Sequence, residues 1–282
     1  MEIKFNDVSY IYNEKTPLAK VALSNINLSF KEGMINGLIG KSGSGKTTLV
    51  EMINALMLPT SGAVKVGSRI LSKTRKIKNI NNLRYNIGLV FQFPEEQFFC
   101  STVKKEIEFG MKYFNKSVKN IESHVKDALK MVGLDETYLE RNPFSLSSGQ
   151  MRKVAIASIL AFNPKVIILD EPTIGLDSKS KNNLIKIIKT LKTRYDKTII
   201  IVSQDVNLLH QIVDYIYVLN DGKLVIEGDK YSVFTNHLIK EYGIKPPSII
   251  AFSQLALAKK NIKLGYRDDI NDLMKDVYRL VK

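Results

Sequence analysis

The sequence has little cysteine, no long apolar run and no internal repeat. Its single cysteine, Cys100, excludes an internal disulfide, so we expect a reducing cytosol to be its natural compartment. The first ten residues contain no apolar segment typical of a secretory signal. The longest apolar runs, at residues 166–169 and 199–202, are far too short to span a bilayer. Any association with a membrane is therefore predicted to depend on a partner.

The composition is that of an ordinary globular protein with a basic surface. Of 282 residues, 44% are hydrophobic and 25% are charged, which suits one large domain with or without an appendage. The net charge of +14 could attract nucleic acid or anionic lipid. The basic residues are spread along the chain, however, and no basic motif interleaved with aromatic residues occurs. We interpret the charge as a solvated, lysine-rich surface.

Short apolar runs alternate with helical patterns. Residues 3–30 predict antiparallel strands, because apolar and polar residues alternate there. Further strands are predicted at residues 34–39, 87–91, 166–169, 198–202 and 215–219. Helices are predicted at residues 47–57, 150–162, 181–194 and 206–213, with residues 102–132 mostly helical. After about residue 235 the tail is predicted to be helical, with an interruption at Pro246-Pro247. Strands that alternate with helices predict an α/β fold with a parallel sheet.

A complete phosphate-binding motif follows the strand predicted at residues 34–39. Its eight residues fit the pattern G-x-x-x-x-G-K-[ST] and are Gly40, Lys41, Ser42, Gly43, Ser44, Gly45, Lys46 and Thr47. Glycines let the backbone N–H groups point inward at phosphate oxygens, and the following helix adds its positive end. Lys46 is expected to reach the β- and γ-phosphates, and the Thr47 hydroxyl to bind Mg²⁺. Thr48, the residue after this motif, is also expected to bind the nucleotide.

Two carboxylates end the apolar strand at 166–169. Parallel sheets present ligands at the carboxyl ends of their strands, so Asp170 and Glu171 are expected to face the same site. Asp170 is predicted to hold Mg²⁺, directly or through water, and Glu171 to polarise the water that attacks the γ-phosphate.

A third motif narrows the class. Leu146-Ser147-Ser148-Gly149-Gln150 lies just before a predicted helix and about 20 residues before Asp170. This run resembles the LSGGQ signature of ABC ATPases. The family's other elements follow its order: Tyr12 near the start, Gln92 after a strand, and Gly175-Leu176-Asp177 after the acidic pair. The resemblance covers about residues 1–235.

The resemblance implies a fold. We expect an α/β P-loop NTPase core with a mixed, mainly parallel sheet, an N-terminal antiparallel β subdomain and a helical subdomain at about 92–148. Residues 1–235 would form the ABC ATPase domain, and residues 236–282 a C-terminal helical extension.

The resemblance also implies roles for single residues. Two such domains meet head to tail, and each ATP lies between the phosphate loop of one chain and the signature of the other. Ser147 and the N–H of Gly149 would hold the partner's γ-phosphate, and Asp177 would cross the interface. Tyr12 would stack on adenine, with Tyr10 as a rival. Gln92 would bind Mg²⁺ and sense the γ-phosphate.

A narrower likeness points to energy-coupling-factor transporters. The runs 88–98 and 148–157 look like those of the CbiO-like ATPases in this group, and Phe93-Pro94-Glu95 resembles the second of its two paralogous ATPases. The likeness implies a second ABC ATPase, a transmembrane coupling protein and a substrate-specific membrane subunit for a vitamin or a metal ion. It places the chain peripherally, on the cytoplasmic face of the cell membrane, with no nucleic acid as partner.

Two apolar sets are candidates for contact with such partners. Phe93, Phe98 and Phe99 could line a groove for the coupling protein, or could belong to the core of the helical subdomain. The tail carries apolar residues at helical spacing, which could pack against the partner ATPase or against their own domain. These are Ile249, Ile250, Phe252, Leu255, Leu257, Ile270, Leu273, Met274, Val277 and Leu280.

Two positions depart from the family pattern. Gln204 stands where the family has a histidine that contacts the γ-phosphate, and none of the three histidines can replace it. An amide donates hydrogen bonds but carries no charge. We therefore expect this chain's own site to bind ATP normally and to hydrolyse it slowly, with most turnover at the partner's site. Ser148 replaces a signature glycine, and we expect only a mild effect.

Two alternative functions stay open from the sequence, and a third is disfavoured. A soluble ABC ATPase that acts on nucleic acid or ribosomes would suit the basic charge, but the chain has neither a long coiled coil nor a second phosphate loop. A regulatory subunit that binds ATP with little hydrolysis would suit Gln204 but not Glu171. A small-molecule kinase would have no need of the signature.

Overall fold

The computed structural model describes residues 1–77, 79–114 and 120–280. An antiparallel sheet begins the chain. Its strands are β1 (Ile3–Tyr12), β2 (Lys20–Phe30), β4 (Ser61–Val66) and β5 (Arg69–Leu71), in the order β2-β1-β4-β5. The alternation of buried and exposed residues along β1 and β2 gives this sheet one buried face, as the sequence predicts. β4 and β5 were not predicted.

A second sheet is mixed and mainly parallel. It contains β3 (Ile35–Ile39), β6 (Ile87–Val90), β7 (Val166–Asp170), β8 (Thr198–Val202), β9 (Tyr215–Asn220) and β10 (Lys223–Asp229). The order is β10-β9-β3-β8-β7-β6, and only the β9–β10 pair is antiparallel. Every residue of β3, β6, β7 and β8 is buried, because both faces of this sheet are covered. The predicted fold class is confirmed.

The helices follow the predicted alternation, with shifted ends. They are α1 (Lys46–Ile53), α2 (Ile80–Asn86), α3 (Val103–Phe114), α4 (Ile121–Met131), α5 (Ser148–Leu160), α6 (Ser178–Tyr195), α7 (Val206–Ile212), α8 (Lys230–Thr235), α9 (Leu238–Glu241), α10 (Ser248–Lys260) and α11 (Ile270–Leu280). The helix predicted to reach residue 57 ends at Ile53, and Ala55 then has φ of 50°. The helical region predicted at 102–132 includes residues 115–119, which lie outside the described residues.

Two apolar clusters fill the molecule, one on each side of the parallel sheet. The first joins the sheet to α3, α4, α5, α6 and α7. The second joins its other face to α1 and to the antiparallel sheet. Tyr217 ties the sheets together, since its ring packs at 4.9 Å from that of Phe30 and its hydroxyl donates to the Ser29 carbonyl at 2.6 Å.

The C-terminal helices give a mixed answer for the apolar tail. Ile250 and Leu273 are buried against their own chain. Others keep much of their surface exposed: Phe252, Leu255, Leu257, Ile270, Met274 and Leu280. The division of the chain near residue 235 stays a prediction. No helix within residues 1–77, 79–114 and 120–280 is long and apolar enough to cross a membrane.

Candidate functional site

The phosphate loop lies between β3 and α1, and its backbone conformation requires glycine at several positions. Gly43 and Gly45 have φ of 77° and 97°, in the left-handed region that favours glycine. A Cβ on Gly45 would lie 2.6 Å from the carbonyl oxygen of Ala22, and one on Gly40 would lie 2.2 Å from that of Leu219. The chain can therefore curl tightly here only without side chains.

Lys46 places its ammonium inside this curl. Its Nζ donates to the carbonyl oxygens of Gly40 at 2.8 Å and Lys41 at 2.7 Å, and to the Ser44 hydroxyl at 3.4 Å. Burial lowers the pKa of Lys46, while the nearby carboxylates of Glu171 and Asp170 oppose that shift. A cation at the centre of a ring of backbone groups is suited to an anion with several oxygens.

Four strands of the parallel sheet end at one edge, and a site residue follows each of them. Gly40 follows β3, Gln92 follows β6, Glu171 follows β7, and Ser203 follows β8. These strands are adjacent and parallel, so their carboxyl ends meet. Thr47 Oγ1 donates to Asp170 Oδ2 at 2.9 Å, which brings two of the three predicted metal ligands together. Burial raises the pKa of Asp170, and the Thr47 bond and Lys46 counteract it.

Glu171 is held by residues at the end of β8. Its φ of 45° turns the chain sharply after β7. The carboxylate accepts from the Ser203 hydroxyl at 3.0 Å and from the Gln204 backbone N–H at 2.9 Å. Burial raises the pKa of Glu171, although both hydrogen bonds oppose that shift. Ser203 is fully buried. The sequence analysis did not identify it as a site residue, although its place directly after a predicted buried strand was a signal for that role.

These groups surround one cavity of about 260 Å³. Its lining comprises Tyr12, Lys20, Val21, Ala22, Ser42, Gly43, Gly45, Lys46, Thr47, Thr48, Gln92, Asp170, Glu171 and Gln204. Tyr12 stands at the cavity with its hydroxyl 2.8 Å from that of Thr48. Tyr10 packs edge-on against the Tyr12 ring at 4.8 Å, and it does not line the cavity.

The signature lies elsewhere on the molecule. Ser147 caps α5 in a reciprocal pair of hydrogen bonds with Gln150, and Ser147 and Ser148 at the start of the helix are exposed. A Cβ on Gly149 would meet the Ser180 hydroxyl oxygen at 2.6 Å, so the signature adjoins the start of α6, where Asp177 is the cap. Of the described residues that line the cavity, none belongs to the signature. Ser148 is exposed, so its extra side chain meets no packing restraint within the chain.

The three phenylalanines after Gln92 have different environments. Phe98 is only 8% exposed and belongs to the core, which is the second of the two alternatives given for it. Phe93 is half-buried. Phe99 is 62% exposed and packs edge-on against Phe109, which in turn stacks on Tyr113. Phe99, Phe109 and Tyr113 form an exposed aromatic patch.

One contact links the C-terminal region to the phosphate loop. Gly243, just after α9, has φ of 70°, and a Cβ there would lie 2.1 Å from Lys41 Cε. The lysine side chain therefore rests on the glycine. A single glycine in a helical tail gave no sequence signal for this contact.

Comparisons with known proteins agree with this geometry. A family model described as "ABC transporter" matches residues 23–174. The "Energy-coupling factor transporter ATP-binding protein EcfA2" of Staphylococcus epidermidis is 39% identical, over 93% of this chain and 92% of its own. The protein of the same name from Clostridium perfringens is 42% identical, over 88% and 87%.

Solved structures give the same result. One is cbiO1 from Clostridium perfringens, described as part of the ABC transporter complex cbiONQ. It is 29% identical with a TM-score of 0.74, over 97% of this chain and 98% of that one. Another is a dimeric ATP-binding cassette in a post-hydrolysis state, bound to ADP and Pi. It is 29% identical with a TM-score of 0.71, over 81% and 98%.

Proposed function

Because this chain belongs to the ABC transporter family, with close relatives among energy-coupling factor ATP-binding proteins, we propose that it is the ATP-hydrolysing subunit of an energy-coupling-factor transporter. It drives uptake of a vitamin or a metal ion through membrane partners. The observation that carries this proposal is the convergence of the phosphate loop, Asp170 and Glu171 on one cavity.

ATP binding uses the loop and its neighbours. Backbone N–H groups of Gly40, Lys41, Ser42, Gly43, Ser44 and Gly45, with the start of α1, receive the phosphates. Lys46 exchanges its bonds to loop carbonyls for bonds to phosphate oxygens. The Tyr12 ring stacks on adenine, with its hydroxyl steadied by Thr48.

The residues present suit Mg²⁺. Thr47, Gln92 and Asp170 offer hydroxyl, amide and carboxylate oxygens, which are the hard ligands that this ion prefers. Thr47 and Asp170 already contact each other at the cavity. Mg²⁺ held by these three residues would neutralise negative charge on the phosphates.

Hydrolysis depends on Glu171. Its carboxylate is positioned by Ser203 and by the Gln204 backbone, and it polarises the attacking water as general base. The Gln204 side chain faces the same cavity and can donate an amide hydrogen bond to the γ-phosphate. Because that amide carries no charge, we expect slow turnover at this site.

The second ATPase subunit binds at the signature. Ser147, Gly149 and Asp177 lie at two adjacent helix starts, away from this chain's own cavity. Their separation supports a dimer in which each signature completes the other chain's site. Gln204 favours a heterodimer, in which a partner with a charged side chain at the equivalent place performs most of the turnover.

The membrane partners are expected at the aromatic patch. Phe99 lies seven residues after Gln92 in sequence, so a protein docked on Phe99, Phe109 and Tyr113 could influence the glutamine that faces ATP. The coupling protein binds there and holds the chain peripherally at the cytoplasmic face of the membrane.

The proposal is tested by isolating the chain with its natural partners. A tagged chain is expressed in its own host, membranes are solubilised in mild detergent, and the co-purifying proteins are identified. A second ABC ATPase and a multi-spanning membrane protein are expected, with ATP turnover that Glu171→Gln abolishes. Recovery from the soluble fraction with DNA, with ribosomes or without partners would overturn the transporter assignment.

A further inference from the structure

A buried arginine joins three functional segments. Arg152 lies in the second turn of α5, and its side chain is only 3% exposed. One terminal nitrogen donates to Glu95 Oε1 at 3.0 Å and to the Ile174 carbonyl at 3.2 Å. The other donates to the Pro172 carbonyl at 3.3 Å. Arginine suits this position because its planar fork reaches several acceptors at once.

Each acceptor is close in sequence to a residue at the ATP cavity. Glu95 lies three residues after Gln92, and Pro172 directly follows Glu171. Phe93 completes the cluster, with its ring centroid 6.0 Å from the guanidinium carbon of Arg152 and an edge carbon 3.9 Å from a Cβ built on Gly175. The helix that carries Arg152 begins with the signature. The guanidinium therefore contacts the segment after Gln92 and the segment after Glu171, and it is carried by the helix that begins with the signature.

The cluster is not a fully satisfied structural ion pair. Among the described residues, Arg152 Nε and Glu95 Oε2 are buried without a hydrogen-bond partner. Buried groups of this kind are costly, and natural structures usually satisfy them. The bonds of the two terminal nitrogens therefore hold the cluster together despite this cost.

We propose that Arg152 is a positioning residue for ATP hydrolysis, which fixes Gln92 and Glu171 relative to the signature helix. This inference rests on the proposed function, because it assigns Arg152 to the same reaction. Arg152 does not line the ATP cavity, and it acts through the carbonyls of Pro172 and Ile174 and through Glu95. Its loss should therefore reduce the rate of hydrolysis rather than the affinity for ATP.

The test compares Arg152→Met with Lys153→Met in the assembled, detergent-solubilised complex. Lys153 is the matched control because it is next on the same helix and its Nζ donates to the Gly133 carbonyl, outside the cluster. We expect Arg152→Met to lower kcat about tenfold or more, since small misplacements of reacting groups have effects of this size. KM and the affinity for a fluorescent ATP analogue should stay within about threefold of wild type, and Lys153→Met should leave kcat unchanged.

Two milder variants keep the test decisive if Arg152→Met does not fold. Arg152→Lys keeps the charge but loses the fork, and Glu95→Gln keeps an acceptor oxygen but loses the charge. Each should lower kcat about threefold or more, without a matching loss of nucleotide affinity or of thermal stability. Wild-type kcat in the folded variants would overturn the inference, as would a loss explained wholly by weaker ATP binding. A wild-type complex without ATP turnover would instead overturn the proposed function.

Discussion

Replacing Gln204 by histidine tests how this site differs from its family. The side chain of Gln204 is exposed at the ATP cavity, so the change disturbs no core packing. The backbone N–H of residue 204, which holds Glu171 Oε1 at 2.9 Å, is retained whatever the side chain. The substitution therefore changes one donor near the γ-phosphate and leaves the position of the general base intact.

The expected gain follows from the charge of that donor. A hydrogen bond from a neutral group contributes about 0.5–1.5 kcal/mol, and one that involves a charged group about 1.5–3 kcal/mol. A protonated histidine should therefore stabilise the transition state by about 1–1.5 kcal/mol more than the amide does. Since about 1.4 kcal/mol corresponds to a tenfold change in rate, hydrolysis at this site should rise about five- to tenfold.

The assay measures ATP turnover by the chain alone and by the assembled complex. When the chain is measured alone, every phosphate loop in the sample belongs to the substituted chain, so kcat should rise about five- to tenfold. In a complex whose partner already performs most turnover, adding a second competent site should raise the total toward about twofold. Gln211→His, the same change at an exposed residue outside the ATP cavity, is the control. Unchanged turnover of the complex in Gln204→His would remove the basis for an asymmetric pair of sites.

Three further changes probe single contacts. Ser203→Ala removes a charge-assisted hydrogen bond to Glu171, so kcat of the complex should fall about tenfold while KM is retained. Tyr12→Ala removes a ring whose stacking on the base contributes about 1–3 kcal/mol, so the affinity for a fluorescent ATP analogue should fall at least about tenfold. His210 has a pKa lowered by burial, so below its unfolded pKa of about 6.5 the unfolded state binds more protons. The free energy of unfolding, measured in urea, should therefore fall from pH 7 to pH 5.5 by up to about 1.4 kcal/mol per pH unit, and His210→Phe should flatten that slope.

Each of these has its own control. Ser253→Ala removes a buried serine that does not line the ATP cavity, and equal kinetic losses in both serine variants would contradict the role of Ser203. Tyr12→Phe keeps the ring and should bind the ATP analogue as the wild type does. Unchanged binding in Tyr12→Ala would exclude stacking. His237 is exposed, and a pH slope as steep in His210→Phe as in His237→Phe would show that burial of His210 is not the cause.

The local parts of the site could be predicted because their chemistry is contiguous in sequence. The phosphate loop needs glycines where φ is positive and where other backbone approaches closely, and Gly43 and Gly45 carry that requirement in neighbouring letters. The strand that ends in Asp170 was likewise evident, since a continuous apolar run is typical of a strand covered on both faces. The strand β5 has only three residues, which is too short for a periodic pattern, and it was missed.

Contacts between distant segments were decided by the tertiary structure. Thr47 and Asp170 are 123 residues apart, and Ser203 and Glu171 are 32 apart. They meet because β3, β8 and β7 are neighbours in one sheet and run parallel, so that their carboxyl ends lie at the same edge. The neighbours Phe98 and Phe99 have the same chemistry, yet one is buried and the other exposed. The backbone is extended at Phe98, and consecutive side chains of an extended backbone point to opposite sides.

By itself, the sequence determined the fold class, the nucleotide loop and the acidic end of β7, because each is encoded by adjacent residues and by the period of burial. The tertiary structure alone decided which residue holds Glu171, which aromatic rings stay exposed and where Arg152 finds its acceptors. The physical reason is that hydrogen bonds and burial depend on which strands and helices become neighbours, and a linear pattern does not specify that order.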